Sequence, residues 1–299
     1  MRPSRTVFAI TAAATGALIA TSGAPALGAS HAKSARATPP LLSVTMSKGA
    51  GMKVTGPRTF SAGRLSLTLV AKKGEQEFAI MRLHKGYTLA HLKSDFATYG
   101  QAEDNPTPAA LKALNRIVRR TTFFGGLDSG SGHTTVSGSV VLPKAGTYYL
   151  LDDANGPGQG GKLALHVTAK SENRIAPEPA AHVIAVNAKR FRGSVDLPAS
   201  GTIEFTNKAS NSPHFLFLMH VKKGTTRKQA IKGVQSPPGK GPNIFRDGAV
   251  GTDVLHMGKS QTITYTLPAG DYAEVCFFPD LETGMPHAFM GMVRIVHLS

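Results

Sequence analysis

The chain has 299 residues, with 34 Lys+Arg against 18 Asp+Glu for a formal net charge of +16, one Cys and no Trp. This length suits two domains, and 41% hydrophobic residues are enough for packed cores, which excludes wholesale disorder. A single cysteine excludes an intrachain disulfide framework, a CxxC redox centre and thiolate-rich zinc or iron–sulfur sites.

Residues 1–29 carry Arg2 and Arg5, then the Ala-rich apolar stretch Val7–Ala20, then small residues around Ala26 and Ala29. That order is a secretory signal peptide and predicts a secreted or cell-envelope protein. No later apolar run reaches membrane-spanning length. The surplus Lys and Arg are scattered, with no basic helix interleaved with aromatics. This predicts no nucleic-acid binding and only weak, salt-sensitive attraction to anionic cell-envelope polymers.

A first unit over 42–169 follows. Gly63–Leu67 alternates as a strand, and Phe78-Ala-Ile-Met-Arg-Leu-His-Lys-Gly86 is an apolar strand ending in a basic turn. A helix is predicted over Thr88–Tyr99. A second has Thr107 as N-cap and Pro108 at its first position, with Ala110, Leu111, Leu114 and Val118 on one face. Leu142-Pro-Lys-Ala-Gly-Thr-Tyr148 and a closing strand, Lys162–Thr168, complete the unit. Residues 170–181, broken by Pro177 and Pro179, form a linker.

The second unit, 182–299, repeats this order. Gly201–Phe205 answers Gly63–Leu67, Leu216–Gly224 answers Phe78–Gly86, and a helix is predicted over Thr225–Ile231. Leu267-Pro-Ala-Gly-Asp-Tyr272 then answers Leu142–Tyr148. Short Val/Ile/Leu/Phe/Thr strands between Gly/Pro turns predict an all-β fold of two tandem β-sandwiches with short accessory helices.

Chemistry gathers at the end of the second unit. Cys276, His287 and Met292 lie on one stretch between two strands, and the turn Thr283-Gly-Met-Pro286 can fold His287 back beside Cys276. His214, in Asn211-Ser-Pro-His214, is the fourth candidate. Copper cycling between Cu(I) and Cu(II) needs a thiolate, imidazoles and a weak axial thioether, which is this set of residue types. Zinc has little use for the thioether. Metal ligation also explains a lone thiol in an oxidising compartment. Met290 and Met285 compete with Met292 for the axial place.

The second unit resembles the cupredoxin family, the blue or type 1 copper proteins. The resemblance rests on Phe205-Thr-Asn207 with Pro213-His214, and on Cys276, His287 and Gly291-Met292 in that order along a C-terminal loop. It implies a Greek-key sandwich binding one copper through His214, Cys276, His287 and Met292, and one-electron transfer with a redox partner docking near His287. Phe277, Phe278, Pro286 and Phe289 would form the apolar rim. Two departures are the eleven-residue interval from Cys276 to His287 and the extra methionines. The segment from Gly284-Met-Pro-His287 through Met292 also resembles the copper loop of the copper nitrite reductases. No His-x-His pair or further copper cluster is present, so no enzymatic activity is expected. Copper storage, delivery or protection is the alternative on the same ligands. A metal-free β-sandwich for cell-wall or protein interaction is the other.

The first unit resembles the family only through the repeat. Counting from the matched motifs, Gln76 falls where His214 stands and Asp152 where Cys276 stands. Hard oxygen ligands suit Cu(I) poorly, so this unit is expected to be a metal-free copy. Asp128, Asp152 and Asp153 lack a regular calcium-ligand spacing. His220 is too far along its strand to join the site, His256 is a candidate for a separate surface, and His297 is expected to be structural.

Overall fold

The computed structural model describes residues 37–100, 106–131, 135–154, 160–171, 175–187, 189–237 and 240–299. The signal peptide expected over 1–29 lies outside them, as do residues 172–174 of the expected linker and residues 155–159 of the loop after Asp152.

Alternating apolar residues with turn glycines produce the strands of the first half. They are β1 (Leu41–Ser47), β2 (Gly51–Thr55), β3 (Thr59–Ala71), β4 (Glu77–Leu83), β5 (Thr121–Asp128), β6 (Thr135–Leu142), β7 (Gly146–Asp152) and β8 (Lys162–Ser171). Between β4 and β5 lie α1 (Leu89–Gly100) and α2 (Pro108–Arg120). The second half has β9 (Ala181–Val186), β10 (Arg190–Gly193), β11 (Asp196–Leu197), β12 (Ser200–Asn207), β13 (Phe217–Val221), β14 (Phe245–Thr252), β15 (Ser260–Thr266), β16 (Gly270–Val275) and β17 (Val293–Leu298), with α3 (Arg227–Gln235) after β13.

The fold is all-β with short helices, as expected. One layer runs β2-β1-β3-β6 and continues as β15-β12-β9-β10. The other runs β8-β7-β4-β5 and continues as β14-β13-β16-β17-β11. In the first half β3 serves both layers. Its residues Thr59–Ser61 pair with β8, and from Gly63 (φ +131) it pairs with β6. Inward residues of both layers and both halves, such as Leu65, Leu67, Tyr148, Ile203, Phe205 and Tyr272, share one buried cluster. A fully buried side chain of this kind contributes about 1.5–3 kcal/mol.

Counterpart strands meet antiparallel at both joints. In β6 and β15, Val140 faces Gln261 and Ser137 faces Thr264, and Ser139 Oγ lies 2.8 Å from Thr262 Oγ1. In β5 and β14, Asp128 faces Gly251. The Gln261 amide crosses the joint, accepting from Gly126 N at 3.0 Å and donating to Gly126 O at 3.1 Å. Gly125 must be glycine there: φ is +93, and a Cβ would fall 1.6 Å from Gln261 Oε1.

Thr107 caps α2, accepting from Ala110 N at 3.2 Å, with Pro108 at the first helical position as expected. The third helix begins and ends later than the predicted Thr225–Ile231. Thr226 and Gln229 form a reciprocal capping box, so Thr225 and Thr226 stay outside and the helix runs on to Gln235.

Candidate metal centre

Cys276 follows directly on β16, and His214 sits on the connection between β12 and β13. Asn207, buried at the end of β12, shapes that connection. Its Nδ2 donates to Ser212 O at 3.0 Å and Leu255 O at 2.9 Å, and its Oδ1 accepts from Ala209 N at 3.0 Å. His214 and Leu255 also exchange backbone hydrogen bonds at 3.1 and 2.8 Å.

The loop after Cys276 is folded back by its own backbone. Ala288 N donates to Cys276 O at 2.7 Å and His287 N to Phe278 O at 3.0 Å. Asp280 Oδ1 accepts from Thr283 N at 2.9 Å, while its other oxygen pairs with Lys189 Nζ at 3.0 Å. From α3, Arg227 Nε donates to Val293 O at 2.8 Å and Gln235 Nε2 to Phe289 O at 2.7 Å. The first half closes the far side: Asn115 Nδ2 on α2 donates to Leu281 O at 2.6 Å, and Gly284 lies against Pro106 and Leu111.

These constraints bring three of the four predicted residues together. Cys276 Sγ lies 3.6 Å from His214 Nδ1 and 3.8 Å from His287 Nδ1, and the two Nδ1 atoms are 3.1 Å apart. All three side chains are buried, and they form a group able to hold a metal ion. A triangle with those sides has its equidistant point about 2.0 Å from each corner, against nitrogen–metal and sulfur–metal distances of about 2.0–2.3 Å. Two facing Nδ1 atoms can share only one proton between them. A cation at the centre uses all three lone pairs at once, so the residues fit a metal.

Electrostatics agrees. Burial lowers His214 to about 3, helped by His287 and Lys189. Burial, then Lys189, lowers His287 to about 4, against the pull of Asp280. Both imidazoles therefore offer neutral donor nitrogens. Burial pushes the Cys276 thiol up to about 12, opposed by the backbone N–H groups of Phe215 and Phe278. Without a cation the centre is electrically neutral, and a cation must displace the thiol proton to gain the thiolate.

Met292 is buried in the same apolar cluster as Cys276, and its N–H donates to His287 O at 2.9 Å. Met285 and Met290 are 47% and 41% exposed, whereas Met292 is fully buried. His220 stacks on Tyr272 with ring centroids 4.7 Å apart, and His297 Nδ1 lies 3.1 Å from Asp271. His256 stacks on Phe123 with its Nδ1 buried and unpartnered. None of these three joins the group.

Sequence reasoning missed Leu255, Lys189, Asp280 and Asn115. Leu255, Lys189 and Asn115 act through partners distant in the chain, whereas Asp280, which accepts from Thr283 N three residues on, carried a local turn signal.

No family model and no curated protein matches the chain. Among solved structures the chain is similar to auracyanin B (22% identity, 42% of this chain and 93% of that one, TM-score 0.27). It is similar also to auracyanin A, a "blue" copper protein from Chloroflexus aurantiacus (18% identity, 44% and 99%, TM-score 0.28). A third is the copper nitrite reductase from Nitrosomonas europaea (11% identity, 87% and 93%, TM-score 0.23).

Proposed function

We propose that the protein is an exported carrier of single electrons, whose cupredoxin-like second half would hold one copper ion through His214, Cys276 and His287, with Met292 as a weaker thioether donor. The observation that carries this reading is the buried triangle of two Nδ1 atoms and one Sγ with sides of 3.1–3.8 Å. Copper bound there would accept and release one electron. The chain's own part is to hold the donors still. Asn207 and Leu255 fix His214, the backbone bonds at Phe278 and Cys276 fix His287, and burial keeps water from the donors.

A redox partner would dock on the loop around His287, where Phe277, Pro286 and Phe289 are half-buried at the surface. The side facing α2 is covered by the first half. The first half, in this reading, is a metal-free copy serving as scaffold. Strand pairing is consistent with the motif count. Met81 faces Tyr149 as Met219 faces Ala273, so three residues on, Asp152 stands where Cys276 does. Export rests on the N-terminal sequence. Among the described residues no helix is long and apolar enough to cross a membrane.

Titration of the metal-free protein with Cu(II) tests the reading. One equivalent is expected to produce an intense visible thiolate-to-copper band that bleaches and returns over one-electron cycles. Cys276→Ala is expected to abolish the band. A colourless complex in the unaltered protein would sink the type 1 assignment, and a bleached centre that never reoxidises would favour storage or delivery.

A further inference from the structure

A second feature lies at the joint, lined mostly by the first half. A cleft of about 370 Å³ opens between β4, the end of β6, β7 and the turn before β15, within the range of small-molecule sites. Arg82, His84, Lys85, Lys144 and Lys259 line it, and no carboxylate does. Among the described residues none of these side chains forms an ion pair.

Two of the cations are held in place. Phe124 and Tyr148 are buried and meet edge to face, with centroids 5.1 Å apart. The Arg82 guanidinium lies 5.6 Å from the centre of the Tyr148 ring, and Lys259 Nζ lies 5.7 Å from that of Phe124. Gly146 leaves room for the guanidinium: a Cβ there would stand 3.0 Å from Arg82 Nη2. Two like charges from different halves are thus fixed on two touching rings, while His84, Lys85 and Lys144 stand exposed at the mouth. Like charges gathered without counter-charge destabilise the free protein, and a multiply charged anion relieves that cost.

We propose that this cleft is a binding site for a phosphate-bearing ligand with at least two negative charges. A guanidinium offers a planar fork to phosphate oxygens, and ammonium groups add point charges around a tetrahedral anion. A monocarboxylate would leave most of the cations unmatched. The group could belong to a small phosphorylated molecule or to a phosphate polymer, and the two sources are separable. No residue of the metal centre lines the cleft.

Calorimetric titration of the full chain with pyrophosphate, in about 0.15 M salt where the Debye length is roughly 8 Å, tests it. Saturable one-to-one binding is expected. Arg82→Gln and Lys259→Gln are each expected to weaken it about tenfold or more, while Lys72→Gln/Lys73→Gln, which removes charge elsewhere, stays within about twofold. A parallel titration with linear polyphosphate distinguishes the sources: tighter binding per site than pyrophosphate indicates a polymer, and equal binding a small ligand. Absence of saturable binding at this salt, or equal losses in the cleft and control variants, would overturn the proposal. Thermal melts of each variant confirm that the fold persists, and should Lys259→Gln unfold, Arg82→Gln and Lys144→Gln decide.

Discussion

Tyr148 and Tyr272 make the same bond in the two halves: each hydroxyl donates to the carbonyl four residues earlier, Lys144 O at 2.8 Å and Pro268 O at 2.9 Å. Four residues after each tyrosine the halves part, one reaching Asp152 and the other Cys276. The frame is common and the buried end of the strand differs. Asp152 turns inward on its own loop, Oδ1 accepting from Ala154 N at 3.1 Å, whereas Cys276 faces two imidazoles contributed from outside its strand. A sandwich of this form tolerates opposite chemistry at one position, provided the nearby loops satisfy whatever is placed there.

Acid separates the halves most. Folded His214 and His287 titrate near 3 and 4, below the value of about 6.5 in an unfolded chain. As pH falls from about 6.5, the unfolded chain takes up protons that the folded one refuses, so the metal-free protein loses stability down to about pH 4, on the order of several kcal/mol. Asp152 has the opposite sign: burial raises its carboxyl, so its contribution is present at low pH and lost as pH rises through its folded value. Denaturant melts at stepped pH should show a slope that flattens in His214→Gln/His287→Leu and steepens in Asp152→Asn. An unchanged slope in the double variant would show that the imidazoles are not its source.

Asn207→Ala sharpens the comparison next. It strips partners from Ser212 O, Leu255 O and Ala209 N and should cost about 3 kcal/mol. If Asn207 positions His214, copper affinity falls as well, by about 10–100-fold. A stability loss with unchanged affinity would assign it to folding alone. Gln261→Leu is expected to act more mildly, about 1–2 kcal/mol, by leaving Gly126 N unpaired at the joint while Gly126 O keeps the Asp253 N–H. Melting measured on both halves would then show whether they still unfold together.

Much of this was legible in the sequence. Alternation after Gly63 and Gly201, the paired tyrosine motifs and the Thr107-Pro108 helix start are local signals, and local signals survive without coordinates. Cys276 and His287 were legible because they share one loop, and His214 because Pro213-His214 follows a strand ending in Asn207, the pattern that carries the family resemblance. The start of α3 at Arg227 was written in Thr226-x-x-Gln229, a capping box that the turn before it obscured. Pairing across the joint was not legible. Which strand lies beside β15 depends on the shapes of two finished halves, and Lys189 or Asn115 reveals its role only once Asp280 or Leu281 is beside it.

The antiparallel meeting of β6 with β15 has one more consequence. Counterpart strands joined in this way are related by a local two-fold axis, the arrangement by which identical subunits form closed dimers. Released from the first half, the second would expose β15 as an open edge whose matching surface is another copy of itself. The single chain pairs its halves as closed dimers pair their subunits, with the one thiol in the second half.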